Sequence, residues 1–314
     1  MKKINILFFV LATFCMCLVV SCGGGDDDNP QNSDSKTPTS APNTETSSST
    51  SGEETPTSAF YTDKGYFDGL LYYKKRSNET MEIAVVGAEN TVATVTIPTY
   101  VKIDDMVYTV TSIHEKAFNN NTSLISITIP NSVVSIGEWA FGGCNGLTSV
   151  TIPNSVTSIG ESVFAYCDNL ASVIIGNSVT SIPNHAFHYS HITSVTIGNN
   201  VKTIEEYAFE GCGKLTSVII PNSVTTIRYD AFNYCSSLES VTIGNSVTSI
   251  ESRAFCGCSK LTDVYCYAPN VPRIDREAFF STPISNVILH VPAESVAKYK
   301  VQSQWSGFGS IVAL

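Results

Sequence analysis

The chain carries 314 residues, 43% hydrophobic and 10% aromatic, with a formal charge of −10 at neutral pH. The apolar share suits a packed globular chain. The acidic balance argues against a nucleic-acid partner, which needs a basic footprint, and against electrostatic docking on anionic lipid.

Residues 1–21 begin with Lys2 and Lys3, continue as an apolar run from Ile4 to Val20, and end at Ser21. A charged head, an apolar middle and a small residue before a cut describe an export signal. With Cys22 directly after the cut, the segment resembles a bacterial lipoprotein box, which implies that the Cys22 thiol is acylated and becomes the mature N-terminus. Several acyl chains anchor firmly, because each buried methylene contributes about 0.8 kcal/mol. A plain secretory signal and an uncleaved anchor of about 17 apolar residues, just under spanning length, are the alternatives. Residues 22–59 hold a glycine run, Asp26-Asp27-Asp28 and a tract of Ser, Thr, Pro, Asn and Glu. So little apolar surface cannot offset the entropy of ordering, and the expectation is a disordered tether. The acidic patch behind Cys22 resembles the surface-export signal of Bacteroides-type lipoproteins, implying a lipid-anchored protein on the outer face of the outer membrane; the alternative is that these aspartates only solvate the tether.

Residues 60–109 read as β structure without a clear period. Tyr66-Phe67-Asp68-Gly69-Leu70-Leu71-Tyr72-Tyr73 has the form of a hairpin, and Glu82–Val86 and Thr91–Pro98 read as strands. The segment is expected to cap the N-terminal end of the periodic region, with Val92–Val101 a degenerate first repeat, because Val95-Thr96-Ile97-Pro98 copies a phrase used later in the chain.

From 110 to 289 the chain repeats. Phe118, Phe141, Phe164, Phe187, Phe209, Phe232, Phe255 and Phe279 recur every 22 to 24 residues. Ile stands five before each of them and Val eight before, without exception. A fixed period in the 20s containing Leu-x-x-Val-x-Ile is the signature of a leucine-rich repeat solenoid, mainly β with short helical turns. In Leu147-Thr-Ser-Val150-Thr-Ile152, alternation points Val150 and Ile152 inward and Ser149 and Thr151 outward. Pro153-Asn154 turns the chain, Val156 and Ile159 start the return leg, and Ala-Phe sits on a short helical or irregular turn. The stretches Phe187–Ile192 and Phe279–Ile284 are one residue short, which predicts a tightened turn. Residues 290–314 leave the pattern; Val291 to Lys300 has helical spacing after a Pro start, followed by Trp305, Phe308 and Ile311, so a capping helix and a last strand are expected.

The phrase Leu-Thr-Ser-Val-Thr-Ile-Pro-Asn-Ser-Val-Thr-Ser-Ile-Gly, with Ala-Phe and Cys, resembles the BspA-like branch of leucine-rich repeats over about Val92 to Ala313. That resemblance implies a surface protein of Bacteroides-group type that binds host proteins or other bacteria. The family offers no active site to carry over.

Seven cysteines fall in the repeats, an odd number that excludes a fully paired disulfide framework. Cys144, Cys167, Cys212, Cys235 and Cys258 share one column, replaced by Asn121 and Ser190 in two repeats. Equivalent residues of stacked strands lie roughly 4.8 Å apart, but parallel side-chain vectors make pairing awkward, so free buried thiols are expected. Cys256, Cys258 and Cys266 offer one bridge or three metal ligands without a fourth. His185, His188 and His191 are spaced for a metal pair, yet they read as a solvated cluster with no carboxylate close in sequence. Glu115, Glu138, Glu161 and Glu206, three before Phe, read as solubilising rather than acid–base groups. Nucleophile-elbow, phosphate-loop and dinucleotide fingerprints are missing from the sequence. The reading is therefore a non-enzyme without metal or cofactor, expected to be monomeric.

Binding is expected on the outward strand positions, because a solenoid sheet is a rigid platform. The candidates are Ser149, Thr151, Ser194, Thr196, Ser240, Thr242, Tyr265 and Tyr267, with the turn tyrosines Tyr166, Tyr189, Tyr207, Tyr229 and Tyr234 beside them. The predicted function is adhesin-like binding of an extracellular host or bacterial protein or glycan, with membrane contact only through Cys22. The rival is a structural or glycan-associated envelope spacer.

Overall fold

The computed structural model describes residues 55–314; the leader, Cys22 and most of the tether lie outside the described residues. Each repeat makes one coil with two strands. The longer strands, among them Ser126–Thr128, Ser149–Ile152, Ser172–Ile175, Ser194–Thr196, Ser217–Ile220, Ser240–Ile243 and Asp263–Cys266, line one side. Two-residue strands from Ser135–Ile136 to Arg273–Ile274 line the return leg. All pairings between coils are parallel and in repeat register, for example Val150↔Val173 and Ile204↔Ile227. The alternation predicted for Val150 and Ile152 holds, with both buried and Ser149 and Thr151 exposed.

Burial of the Val, Ile, Leu and Phe columns makes one continuous core. Phe118 to Phe279 form an unbroken stack with centroids 5.0–5.7 Å apart and rings within 13° of parallel. The turns that carry them are not helical. Residues two before Phe, from Lys116 and Trp139 through Tyr207 to Arg253, have φ of 54–58°, and residues two after it are left-handed as well. Such a conformation costs a non-glycine residue about 1–2 kcal/mol. What offsets the cost is a backbone ladder between coils: Trp139, Phe141 and Gly143 donate N–H to the carbonyls of Glu161, Val163 and Ala165 at 2.8–3.0 Å, and neighbouring coils repeat the pattern.

Side chains extend the ladders. Asn177 N–H donates to Asn154 Oδ1 at 2.7 Å and Asn199 N–H to Asn177 Oδ1 at 2.8 Å. Thr193, Thr225 and Thr248 hydroxyls donate to carbonyls one coil back. In the short repeat the turn before Ile192 is tightened: the Leu147 N–H to Cys144 carbonyl bond of a full repeat has no counterpart there, and Ser190 fills the Cys position.

At the N-terminal end Gly65–Phe67 and Leu71–Lys75 form the expected hairpin, and Glu82–Ala88 pairs with Leu71–Lys75. Thr94–Thr96 pairs in parallel with Ser126–Thr128, Val95 opposite Ile127, so the degenerate first repeat is a true coil strand. A second hairpin, Tyr100–Ile103 with Met106–Ile113, interrupts that coil. It turns at Asp104-Asp105, both at positive φ as a two-residue type I′ turn requires.

Three boundaries shift. Thr57–Ser58, inside the predicted tether, pair with Val101–Lys102, because the hairpin offers them an unpaired edge. Ile288–Val291 crosses the 289/290 boundary as a full repeat strand beside Asp263–Cys266. The C-terminal helix is only Val296–Val301 after a 3-10 turn at Ala293–Ser295, since Val291 is held in the sheet and Pro292 is extended. Ser310–Ala313 adds the last parallel strand. Tyr299 and Trp305 are buried against the final coil; Trp305 Nε1 donates to the Pro272 carbonyl at 2.9 Å.

Candidate functional site

The outward strand positions form two columns because every strand keeps repeat register. One column runs Ser149, Ser172, Ser194 and, in the next sheet, Ser217, Ser240, Asp263 and Ile288; the other runs Thr151, Ile174, Thr196 and then Ile219, Thr242, Tyr265 and His290. The ladder is interrupted between Ser194–Thr196 and Ser217–Ile220, so the candidate residues lie on two hydrogen-bonded sheets. Ser149, Thr151, Ser194 and Thr196 are exposed, Ser240, Thr242 and Tyr265 half-buried. Tyr267 is exposed but stands beyond its strand, outside both columns. Ile219, 68% exposed, is the barest apolar side chain on this face.

At the C-terminal end the columns change chemistry. The Tyr265 ring stacks on His290 with centroids 4.3 Å apart, and His290 Nε2 lies 2.9 Å from Asp263 Oδ1. That hydrogen bond holds the Asp263 carboxyl below its ordinary range, helped by Thr262, whose hydroxyl donates to Oδ2 at 2.9 Å. His290 is the partner that sequence reasoning missed. Its signal was the alternation Val287, Leu289, Val291, which continues the strand pattern one coil further.

The Cys column consists of free, buried thiols, and Cys256 and Cys266, which stand outside it, are free and buried as well. Its role is more specific than packing. Cys144, Cys167, Cys212, Cys235 and Cys258 each place Sγ 3.0–3.4 Å from the carbonyl of the Phe one coil back. Ser190 and Thr282 take the same place with hydroxyls at 2.5 and 2.7 Å. From Cys144 onward the column therefore selects a small side chain with a hydrogen to donate, and Ser190 was the readable sign of it; Asn121 in the first coil instead accepts from the Leu124 N–H. Burial pushes the Cys144 thiol up to about 12 and the others in the column upward too.

The histidines are not a solvated cluster. His185 stacks on Tyr207 at 4.7 Å and meets His188 edge-on at 5.0 Å. Burial, and then the neighbouring His188 charge, lower the His185 pKa against the opposing pull of Glu210, Glu161 and Glu206. The next coil supplies the carboxylate that sequence distance hid: Glu210 Oε2 is 3.1 Å from His188 Nδ1, a contact without hydrogen-bond alignment. His191 sits apart, its Nδ1 2.9 Å from the Asp168 carbonyl. Glu115, Glu138 and Glu161 are exposed and Glu206 half-buried, one per coil along the turn edge. Among the described residues no group of three or more His, Cys, Asp or Glu is placed to hold a metal ion, and no helix is long and apolar enough to cross a membrane.

The family described as the BspA type leucine rich repeat region matches in six copies, over residues 98–212 and 180–303. Among solved structures, the chain is similar to a leucine rich cell surface protein from Faecalibacterium prausnitzii (21% identity, 80% of this chain and 95% of that one, TM-score 0.46). It is also similar to a leucine rich repeat protein of T. pallidum (25% identity, 64% and 81%, TM-score 0.46), and to a leucine-rich repeat protein from Bacteroides ovatus (20% identity, 78% and 89%, TM-score 0.34). No curated protein sequence matches it.

Proposed function

The chain belongs to the BspA type leucine rich repeat family, and from that premise we propose that it is a non-catalytic surface protein whose solenoid binds an extracellular macromolecule. The observation that supports this reading is the pair of outward columns, held in fixed register and ending in the Asp263–Tyr265–His290 group. A partner laid across them meets side chains whose spacing is already set by the backbone, so little ordering entropy is lost on contact. Interface hot spots favour Tyr, Trp and Arg, which points to the C-terminal end, with Tyr265 and Tyr267, ahead of the Ser/Thr stretch at Ser149, Thr151, Ser194 and Thr196. Export and acylation at Cys22, resting on the leader, and surface display, resting on Asp26-Asp27-Asp28 behind it, put the protein at the outer surface of the outer membrane in this reading.

The test is adhesion of cells displaying the full chain to immobilised extracellular-matrix proteins and to mucin glycans. Binding to one class, weakened by Tyr265→Ala, is the expected result. Retention of neither favours the rival reading of an envelope spacer, which the Ser/Thr-dominated middle of the face supports. Protease shaving of intact cells tests exposure: a chain cleaved only after lysis overturns the surface placement. Radiolabelled palmitate incorporation, lost in Cys22→Ala, tests the anchor.

A further inference from the structure

The turn side of the solenoid carries a feature that the strand face does not. The residues two past each Phe form a column, and Tyr166, Tyr189 and Tyr234 are 46%, 47% and 53% exposed there. Tyr189 leans one coil onward, onto Gly211: a Cβ on that glycine, at φ 69°, would lie 2.7 Å from the Tyr189 ring. Tyr234 leans in the same way onto Gly257, where a Cβ would lie 3.0 Å from its ring. The two rings are thus displaced by two coil steps, roughly 10 Å at the spacing of parallel strands. The place between the rings, the slot, is the one over the Tyr234 backbone, since Tyr189 covers Gly211 and Tyr234 has swung onto Gly257.

Beneath the slot runs a polar row one position past each Phe. Asn233 Nδ2 donates to Glu210 Oε1 at 3.1 Å, and the other Glu210 oxygen faces His188. Asn233 is 1% exposed and its Oδ1 has no partner; Asp230, 2% exposed, lies on the column beyond. Two tyrosine rings beside the half-buried Glu210 and the buried Asp230 make an environment for a cation. A cation midway between the rings would sit about 5 Å from each, inside the roughly 6 Å reach of cation–π attraction. The chain already receives a guanidinium this way next door: Arg253 lies 5.9 Å over the Tyr229 ring with Nε 3.3 Å from Asp230. The formal charge of −10 adds long-range attraction for a basic partner.

We propose that the Tyr189–Tyr234 slot is a docking site for an arginine side chain on a basic segment of a partner protein. This rests on the reading of the solenoid as a binding protein but assigns the contact to the turn side. Calorimetric titration of the full chain with a hexa-arginine peptide tests it. Binding that falls roughly threefold in Tyr234→Ala or Tyr189→Ala, and roughly tenfold in the double variant, is expected, one exposed aromatic contact being worth about the smaller factor. Tyr234→Phe should retain binding, and the charge-conserving Glu115→Asp with Glu138→Asp, remote from the slot, should leave it unchanged. Thermal melting of each variant checks folding, and both tyrosines are exposed enough to be dispensable for it. Wild-type affinity in both tyrosine variants, no binding of the peptide, or uptake of neutral chitotetraose in its place overturns the proposal. A loss in Tyr265→Ala but not in Tyr234→Ala also overturns it, while leaving the strand-face reading standing.

Discussion

Ser190 shows how far a single position is determined by its neighbours one coil away. Its hydroxyl donates to the Phe164 carbonyl at 2.5 Å and accepts from the Cys167 N–H at 3.0 Å, with no solvent exposure. Ser190→Ala leaves both groups buried and unsatisfied at that point, a loss of about 1–3 kcal/mol. Ser190→Cys restores the donor used by the other coils and should lose much less; equal urea midpoints for the two variants would refute the donor role of the column. Asp263 gives a prediction in pH. Because His290 lowers its pKa in the folded state, the pair stabilises the fold above the ordinary Asp value near 3.8, and that contribution disappears as pH falls through the lower folded value. The melting temperatures of wild type and Asp263→Asn should therefore differ at pH 6 and begin to converge only as pH falls below 3.8 and through the lower folded value. A gap that stays constant across this range argues against the linkage.

The strand and the turn were unequally readable as elements. The strand was legible to the residue, since Val150 and Ile152 bury and Ser149 and Thr151 do not. The left-handed turn was not. Lys116, Trp139, Ser162, His185, Tyr207, Asp230 and Arg253 share one backbone conformation with no common side-chain chemistry, so propensity carries no trace of it. Bonds to the following coil impose it, and those bonds join residues more than 20 apart in sequence. The same distance hid Glu210 from His188 and His290 from Tyr265. The phenylalanine stack is the element on which the turns rest. Phe209→Ala removes a fully buried ring with partners 5.1 and 5.0 Å away, and a loss of about 3–5 kcal/mol is expected. Because coils touch only their neighbours, the urea transition should also broaden as the solenoid separates into two blocks. A transition of unchanged sharpness would show cooperativity passing across the gap.

Among the described residues, the solenoid needs its ends more than any one coil. Phe279 packs edge-on to Phe308 at 5.3 Å, and Tyr299 donates from its hydroxyl to the Ala268 carbonyl at 2.9 Å. Removing residues 292–314 bares Phe279 and Leu289 together with the edge of the strand Ile288–Val291, an invitation to edge-to-edge association. The truncated chain should sediment as oligomers or precipitate, and a well-behaved monomer would show that this segment is not the lid. The N-terminal cap closes the other face with Tyr73, fully buried, whose hydroxyl reaches Asp68 at 2.6 Å. Both caps were legible as departures from the period; their exact pairings were not, because each is set by whatever edge the last coil leaves open.

The unbroken ring stack has a consequence for how such a chain changes over generations. Each ring meets the same two faces whichever coil it occupies, so the duplication or loss of one whole unit inserts or removes a layer without creating a new kind of contact. Length is therefore free to vary while the inside stays the same, and novelty is confined to the few outward positions that no neighbouring layer dictates.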